Sequence, residues 1–229
     1  LIQGISLNSM NQSRNKKRVC SLLVFAKAPI PGQVKTRLIS SMGATAAASL
    51  HKKLLFHSLK TATDSGLGPV ELWCTPSTEH PFLKLCAEKF KLMLQKQTYG
   101  DIGKRMSYAF EHTLRKVPSA LLIGTDCPSL TQDDLKEAAE VLAQGMDAVI
   151  GPAEDGGYVL LGLHRFAPEL FTGIPWGSNS VLKETRERLR VLGWRWHELK
   201  ERWDVDRPED LERLRMEGYL NLMETEKEK

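Results

Sequence analysis

The residues with the clearest chemistry lie between Lys27 and Arg37, in the run Lys-Ala-Pro-Ile-Pro-Gly-Gln-Val-Lys-Thr-Arg. Two prolines and a glycine stiffen and bend this loop, and Lys27, Lys35 and Arg37 place fixed positive charge beside a helix start. Phosphate groups are recognised by such charge together with free backbone N–H groups. The loop is not a GxxxxGK[ST] phosphate loop and not a GxGxxG dinucleotide turn. Its plain structural alternative is a proline-rich turn with exposed basic residues.

Three acidic motifs follow. Asp126, in Thr125-Asp126-Cys127-Pro128, closes the run Ala120–Gly124. An acid at the carboxyl end of a buried strand can hold Mg2+ or Mn2+, which take one or two carboxylates plus phosphate oxygens; it can equally cap a turn. Asp155 lies in Glu154-Asp155-Gly156-Gly157-Tyr158. The paired glycines permit a positive φ or a close backbone approach. The carboxylate suits a sugar or ribose hydroxyl, or a base, though a tight turn built on Asp explains the same spacing. Asp204 and Asp206 alternate in Trp203-Asp204-Val205-Asp206, which puts both carboxylates on one face of an extended segment. Asp206 is a candidate second metal ligand or the cap of a helix opened by Pro208.

Weaker signals complete the set. Gly100-Asp101-Ile102-Gly103-Lys104-Arg105 has a GxxG spacing that resembles a phosphate loop. The six histidines show no HxH or HExxH spacing and read as ordinary surface or core residues. His197, nearest the C-terminal acids, is a secondary metal candidate. Trp176, in Pro-Trp-Gly-Ser, can pack or face a ligand. None of the four cysteines forms a CxxC pair, so Cys20 and Cys74 read as small hydrophobes and a reducing compartment is expected.

These residues need elements to position them. Apolar strand-like runs occur at 21–26, 70–74, 91–97, 120–124, 147–150 and 159–163, with an edge strand at 194–199. Helical spacing covers 40–64, 82–90, 132–144 and 178–192, the stretch 99–106 leads into a further helix through about Lys116, and a last helix follows Pro208. The alternation predicts a single-domain, three-layer α/β/α fold with a mostly parallel mixed sheet. Ligands in such sheets lie beyond the carboxyl ends of the strands, where the polar motifs fall.

The 229 residues are 41% hydrophobic and 26% charged, an ordinary globular balance with ample material for a core. A net charge of +4 with scattered basic residues does not argue for nucleic acid. No run is long and apolar enough to span a membrane. The opening residues lack the order of charged and apolar regions of a signal peptide, so the expected location is cytoplasmic. The expected organisation is a poorly ordered tail at 1–18, one domain over 19–220 and a charged tail at 221–229.

Taken together, Phe-Ala-Lys-Ala-Pro-x-Pro-Gly-x-Val-Lys-Thr-Arg-Leu from Phe25, Gly-Asp-Ile-Gly-x-Arg-Met from Gly100, Ile-Gly-Thr-Asp-Cys-Pro-x-Leu from Ile123, Gly-Pro-Ala-x-Asp-Gly-Gly-Tyr from Gly151 and Asp-Val-Asp-x-Pro-Glu-Asp-Leu from Asp204 resemble the DUF2064 family. The resemblance runs from about Val19 to Leu214. It implies a GT-A, nucleotide-diphospho-sugar transferase-like fold, with a more distant similarity to 2-phospho-lactate guanylyltransferase and molybdenum-cofactor nucleotidyltransferases. By carry-over, Lys27, Ala28, Pro29, Gly32, Lys35, Thr36, Arg37 and Gly103 would bind the nucleotide, and Asp126, with Asp206, would hold Mg2+ or Mn2+. Asp155 and Lys35 would be catalytic, and Gly156, Gly157, Tyr158 and Trp176 would face the substrate. Where this chain has Trp176-Gly177-Ser178, the family often has Trp-Ser-Thr, and Asp126 is not part of an Asp-x-Asp pair.

The expected activity is metal-dependent glycosyl transfer from a nucleotide-diphospho-sugar to a small-molecule acceptor. The alternatives are nucleotidyl transfer from a nucleoside triphosphate to a phosphorylated small molecule with release of pyrophosphate, and a nucleotide-binding module without turnover. No nucleic-acid partner is expected, and the sequence leaves the oligomeric state open.

Overall fold

In β1 (Cys20–Lys27) every residue but Lys27 is buried, because the strand is covered on both faces. The structure, a computed structural model, describes residues 20–219; the expected tails at 1–18 and 221–229 lie outside them. Alternate β1 residues feed two cores. Leu22, Val24 and Ala26 pack with Leu55 and Leu59 of α2 (Ala44–Asp64), Leu83 of α3 (Pro81–Phe90) and Leu135 of α5 (Gln132–Ala143). Leu23 and Phe25 face Met106 and Phe110 of α4 (Ile102–Leu114) and Leu182 and Leu189 of α6 (Val181–Val191). The period-2 alternation of a strand thus produces the three layers.

The sheet has seven strands in the order β3-β2-β1-β4-β6-β5-β7. These are β2 (Val70–Thr75), β3 (Met93–Lys96), β4 (Ser119–Ile123), β5 (Ala148–Pro152), β6 (Tyr158–Leu163) and β7 (Trp196–Glu198). All pairings are parallel except those of β6, which runs antiparallel to β4 and β5. The chain steps outward from β1 through β2 and β3, then returns to place β4 on the other side of β1. The carboxyl ends of β1 and β4 are therefore neighbours whose following loops diverge, the arrangement that opens a ligand crevice in α/β sheets. Because β6 runs backwards, the β5–β6 hairpin tip, with Asp155, reaches that same edge.

A third, smaller core joins the loop after β1 to the C-terminal segment. Leu38, Leu50 and Leu54 pack with Trp203, Val205 and Leu211, the last on α7 (Pro208–Met216). This core seats residues 203–206 against the basic loop.

Several boundaries differ from the pattern reading. The helix expected over 40–64 is broken at Gly43 (φ 80°), which ends α1 (Ile39–Met42) and begins α2. With φ 80° and ψ 159° this backbone is one that glycine adopts freely and that cannot continue a helix, and the apolar periodicity does not register it. The strand expected at 91–97 is shorter because Lys91 (φ 54°) serves as the left-handed cap of α3. Residues 203–206 are irregular backbone, not a strand.

Candidate functional site

After β1 the chain turns sharply. The Ala28 N–H donates to Thr75 O, the Ile30 N–H to Ala28 O, and the Gln33 N–H to Ile30 O. Gly32 takes φ 82° within this turn. Lys35 then adopts the left-handed conformation (φ 47°, ψ 42°), which costs a non-glycine residue about 1 kcal/mol. The buried contacts of its side chain offset that cost. Lys35 Nζ donates to Val205 O and lies 2.6 Å from Asp126 Oδ1. The Val205 N–H in turn donates to Asp126 O at 2.8 Å. One lysine and one residue of the C-terminal segment thus tie the end of β4 to the loop after β1.

A cavity of about 350 Å³ opens here, lined by Lys27, Lys35, Thr36, Arg37, Asp126 and Asp206, with Gln33, Val34 and His51 completing it. The first six were singled out from sequence, and the fold brings them together. Lys27 Nζ donates to Gln33 O at 2.7 Å, and Arg37 pairs with Asp206. The N–H groups of Val34 to Arg37 donate to no protein acceptor among the described residues.

Asp126 is divided between two environments. Its Oδ1 is buried without a geometrically good hydrogen bond, yet the side chain as a whole is 45% exposed, so Oδ2 faces the cavity. Burial pushes its pKa upward, but neighbouring positive charge, Lys35 foremost, outweighs that and holds the carboxyl below its ordinary range. His51, like the other histidines, reads from sequence as an ordinary surface or core residue. It is 5% exposed, its Nε2 bonds Lys27 O at 2.9 Å, and its Nδ1 lies 3.9 Å from Asp126 Oδ1. Nε2–H donation to that carbonyl leaves Nδ1 an acceptor, and Nδ1 has no partner. Its place on the buried face of α2, beside Ala47, Ala48 and Leu54, was the available signal.

Asp204 is the second residue that sequence spacing undervalued relative to Asp206. Burial, then the charges of Asp155 and Asp126, push its pKa up to about 6. Asp206 belongs instead to Arg37, and it does not cap α7 with its side chain. The Asp210 carboxylate accepts from the Asp206 and Arg207 N–H groups and serves that end. Among the described residues no group of three or more His, Cys, Asp or Glu is arranged around one point to hold a metal ion. Two carboxylates with open oxygens, Asp126 and Asp204, remain, and Mg2+ needs no more than that when phosphate oxygens complete its shell.

The remaining predicted residues lie elsewhere. Ala28 is buried with its N–H committed to Thr75, and neither it nor Pro29 and Gly32 lines the cavity. Gly103 sits in the first turn of α4, where a Cβ would fall 2.1 Å from Trp176 Nε1. Its lack of a side chain seats an indole. Trp176 meets Tyr158 edge-on at 6.5 Å. Gly156 (φ 86°) packs so closely on the loop before α6 that a Cβ would lie 2.1 Å from Asn179 O, and the Leu182 N–H donates to Gly156 O. Asp155 Oδ1 accepts from the Gly157 N–H at 2.8 Å, the turn-forming role weighed at the outset, while the residue is exposed. His197 bonds Glu137 on the β7 edge and contributes nothing to the cavity.

Burial pushes the Cys127 thiol up to about 11, away from the range of a reactive thiolate, and all four cysteines are buried and unbridged. A larger cavity of about 480 Å³, lined by Pro118, Leu142, Gln144 and His164 among others, lies at the amino-terminal edge of the sheet and holds no Asp, Glu, Lys or Arg. No described helix is long and apolar enough to cross a membrane.

Comparison with known proteins agrees with this architecture. A protein from Desulfovibrio desulfuricans G20, provisionally assigned as a nucleotide-diphospho-sugar transferase, is 30% identical, with 82% of each chain covered and a TM-score of 0.75. At the level of fold alone, 4-diphosphocytidyl-2C-methyl-D-erythritol synthase from Anaerococcus prevotii is similar (10% identity, 90% of this chain and 97% of that one, TM-score 0.59). So is glucosyl-3-phosphoglycerate synthase from Mycobacterium tuberculosis in complex with Mn2+, UDP and glucosyl-3-phosphoglycerate (10%, 97% and 84%, TM-score 0.54). No curated protein matches the sequence. The family described as "Uncharacterized protein conserved in bacteria (DUF2064)" matches residues 58–178, just over half of the chain. With that match, and with a relative at 30% identity across most of its length, the chain belongs to the DUF2064 family.

Proposed function

We propose that the chain is a transferase that binds a nucleotide-activated donor in the crevice between β1 and β4 and transfers its glycosyl group to a small-molecule acceptor. The observation that carries this reading is the cavity in which Lys27, Lys35 and Arg37 converge with Asp126 at the switch point of the sheet. Cations fixed on a stiff loop suit a diphosphate, and the N–H groups of Val34 to Arg37 have no competing protein acceptor. The Desulfovibrio relative supports the donor class.

In this reaction the bond between the anomeric carbon and the diphosphate oxygen breaks, and the acceptor oxygen takes its place. Lys27 and Arg37 stabilise charge gathering on the departing nucleoside diphosphate. Lys35, pinned by Val205 O, holds Asp126 in place as much as it meets the ligand. Asp155, exposed and with only Oδ1 used by its turn, takes the acceptor's proton. A divalent cation, Mg2+ or Mn2+, would be held by Asp126 and Asp204 and would neutralise diphosphate charge. The open Asp126 Oδ2 and the three carboxylates acting on Asp204 are what make this corner favourable for a cation.

A second reading keeps the site and changes the bond. The triad of cations would also accept a triphosphate, for nucleotidyl transfer with release of pyrophosphate. The fold shared with a cytidylyl-transferring synthase favours keeping it.

Thermal shift against nucleoside triphosphates, diphosphates and nucleotide sugars, each with and without Mg2+ or Mn2+, tests the proposal. Cation-dependent stabilisation by at least one nucleotide is expected, and its absence across the panel defeats both readings. The product then separates them, a nucleoside diphosphate for glycosyl transfer and pyrophosphate for nucleotidyl transfer. Asp126→Ala should abolish the cation-dependent part of the shift.

A further inference from the structure

We propose that the exposed face of Trp176 and the Asp155 turn form a subsite for a polyhydroxylated ring, the hexose of a nucleotide-diphospho-hexose. This rests on the donor reading above and adds what the charged cavity leaves open, the class of group carried by the diphosphate.

The placement of Trp176 is built into the backbone. Gly103 in the first turn of α4 is the seat of the indole, since a Cβ there would be 2.1 Å from Nε1 and 2.4 Å from Cε2. Tyr158 braces it edge-on from β6. The loop that carries it is anchored at its other end by Gly156, whose backbone touches Asn179, and by the Leu182 N–H on Gly156 O. Three chain segments distant in sequence therefore share one surface: the start of α4, the β5–β6 tip and the loop before α6. The indole is only half-buried there, while Ser178 and Asn179 beside it are exposed.

The chemistry of that surface selects a sugar ring. A pyranose presents flat C–H faces that pack on an aromatic plane and hydroxyls around its rim that need acceptors and donors. Asp155 supplies an anionic acceptor, whose Oδ2 no described protein group uses, and Ser178 and Asn179 supply neutral polar groups. The subsite borders the diphosphate cavity through the backbone: beside Asp155 the Glu154 N–H donates to Arg202 O at 3.0 Å, and three residues further along that segment the Val205 N–H donates to Asp126 O at 2.8 Å. A ring attached to a diphosphate held by Lys27 and Arg37 has this surface as its neighbour.

Isothermal titration in the presence of Mn2+ compares UDP, GDP, ADP, CDP and dTDP with their glucose esters (the mannose ester for GDP). For the nucleotide that binds, the hexose ester should bind about tenfold more tightly than the bare diphosphate. Trp176→Ala should bring that ratio to about one while leaving the bare diphosphate within about twofold. Trp176→Phe should keep part of the ratio. Asp155→Asn, an exposed substitution, reads the same ratio if Trp176→Ala fails to fold, and should reduce it. A wild-type ratio near one, or a ratio unmoved by both Trp176→Ala and Asp155→Asn, overturns the subsite while leaving the diphosphate site standing. An equal loss for bare and esterified diphosphate puts the base on Trp176 and also overturns it. If none of the ten ligands binds the wild-type chain, the donor reading itself fails, and the subsite with it.

Discussion

The two halves of the carboxyl edge are held by different physics. Around Lys35 the chain is held by charge. A buried ammonium joins Val205 O and Asp126, Arg37 joins Asp206, and three acids crowd Asp204. Around Trp176 it is held by shape, with two glycines that admit an indole and a backbone no side chain could approach. The difference has a direct consequence. The charged half should respond to salt and pH, whereas contacts of shape should not. In the proposed function the first would re-partner its charges with phosphates and the second would keep the transferred group in register.

The largest break in this contrast should come on the shaped side. Gly156→Ala puts a Cβ at positive φ and against the Asn179 backbone, and should cost about 3 kcal/mol in chemical denaturation. That loss should be insensitive to salt. On the charged side, Lys35→Met removes the counter-charge of Asp126. Because Asp126 is half open to solvent, the expected loss is about 2 kcal/mol, below that of a fully buried pair. The same denaturation series measures it.

The pH response sharpens the comparison further. Asp204 is raised to about 6 from an ordinary value of 3.8, so between these values the folded chain keeps a proton that the unfolded chain has lost. Its contribution to stability is therefore present at low pH and lost as pH rises from about 4 to 6. Asp126 works in the opposite sense. Its pKa is lowered, so its contribution is present above the ordinary value and lost as pH falls through the folded one. Asp204→Asn should remove the decline between about pH 4 and 6 and raise stability at pH 7 by about 1 kcal/mol. Unfolding midpoints across that range decide it, and an unchanged slope would mean that Asp204 does not carry the strain.

The smallest effect should be Arg37→Ala. Its pair with Asp206 is open to solvent, so stability should fall by about 0.5 kcal/mol and less at high salt. Nucleotide affinity should fall far more, because in the proposed function the same guanidinium meets phosphate. Equal small losses in both measurements would remove Arg37 from the ligand site.

Much of the architecture was legible in advance. The apolar run of β1 and the period of α2 show which faces are buried, since burial must follow the strand and helix repeats. Lys27, Lys35, Arg37 and Asp126 stood out as charge at the ends of buried strands, and the fold brings them to one cavity. Gly103 carried a nucleotide expectation from its GxxG spacing, but a glycine marks close approach without saying what approaches, and here the neighbour is the Trp176 indole. His51 was missed for a related reason. One histidine on an apolar helix face looks like core, and the two atoms that change its meaning, Lys27 O and Asp126 Oδ1, lie on other segments.

By itself the sequence determined the layered α/β class, the stiff basic loop and the family, since local repeats and ordered motifs survive in one dimension. Only the tertiary structure decided which charges are partners. It gave Lys35 to Asp126, Arg37 to Asp206, and the crowded position to Asp204. It also placed the Trp176 indole where a side chain at Gly103 would be. The physical reason is that electrostatic coupling and steric exclusion act over a few ångströms of space, and the return of β4 beside β1 makes neighbours of residues that the chain keeps far apart.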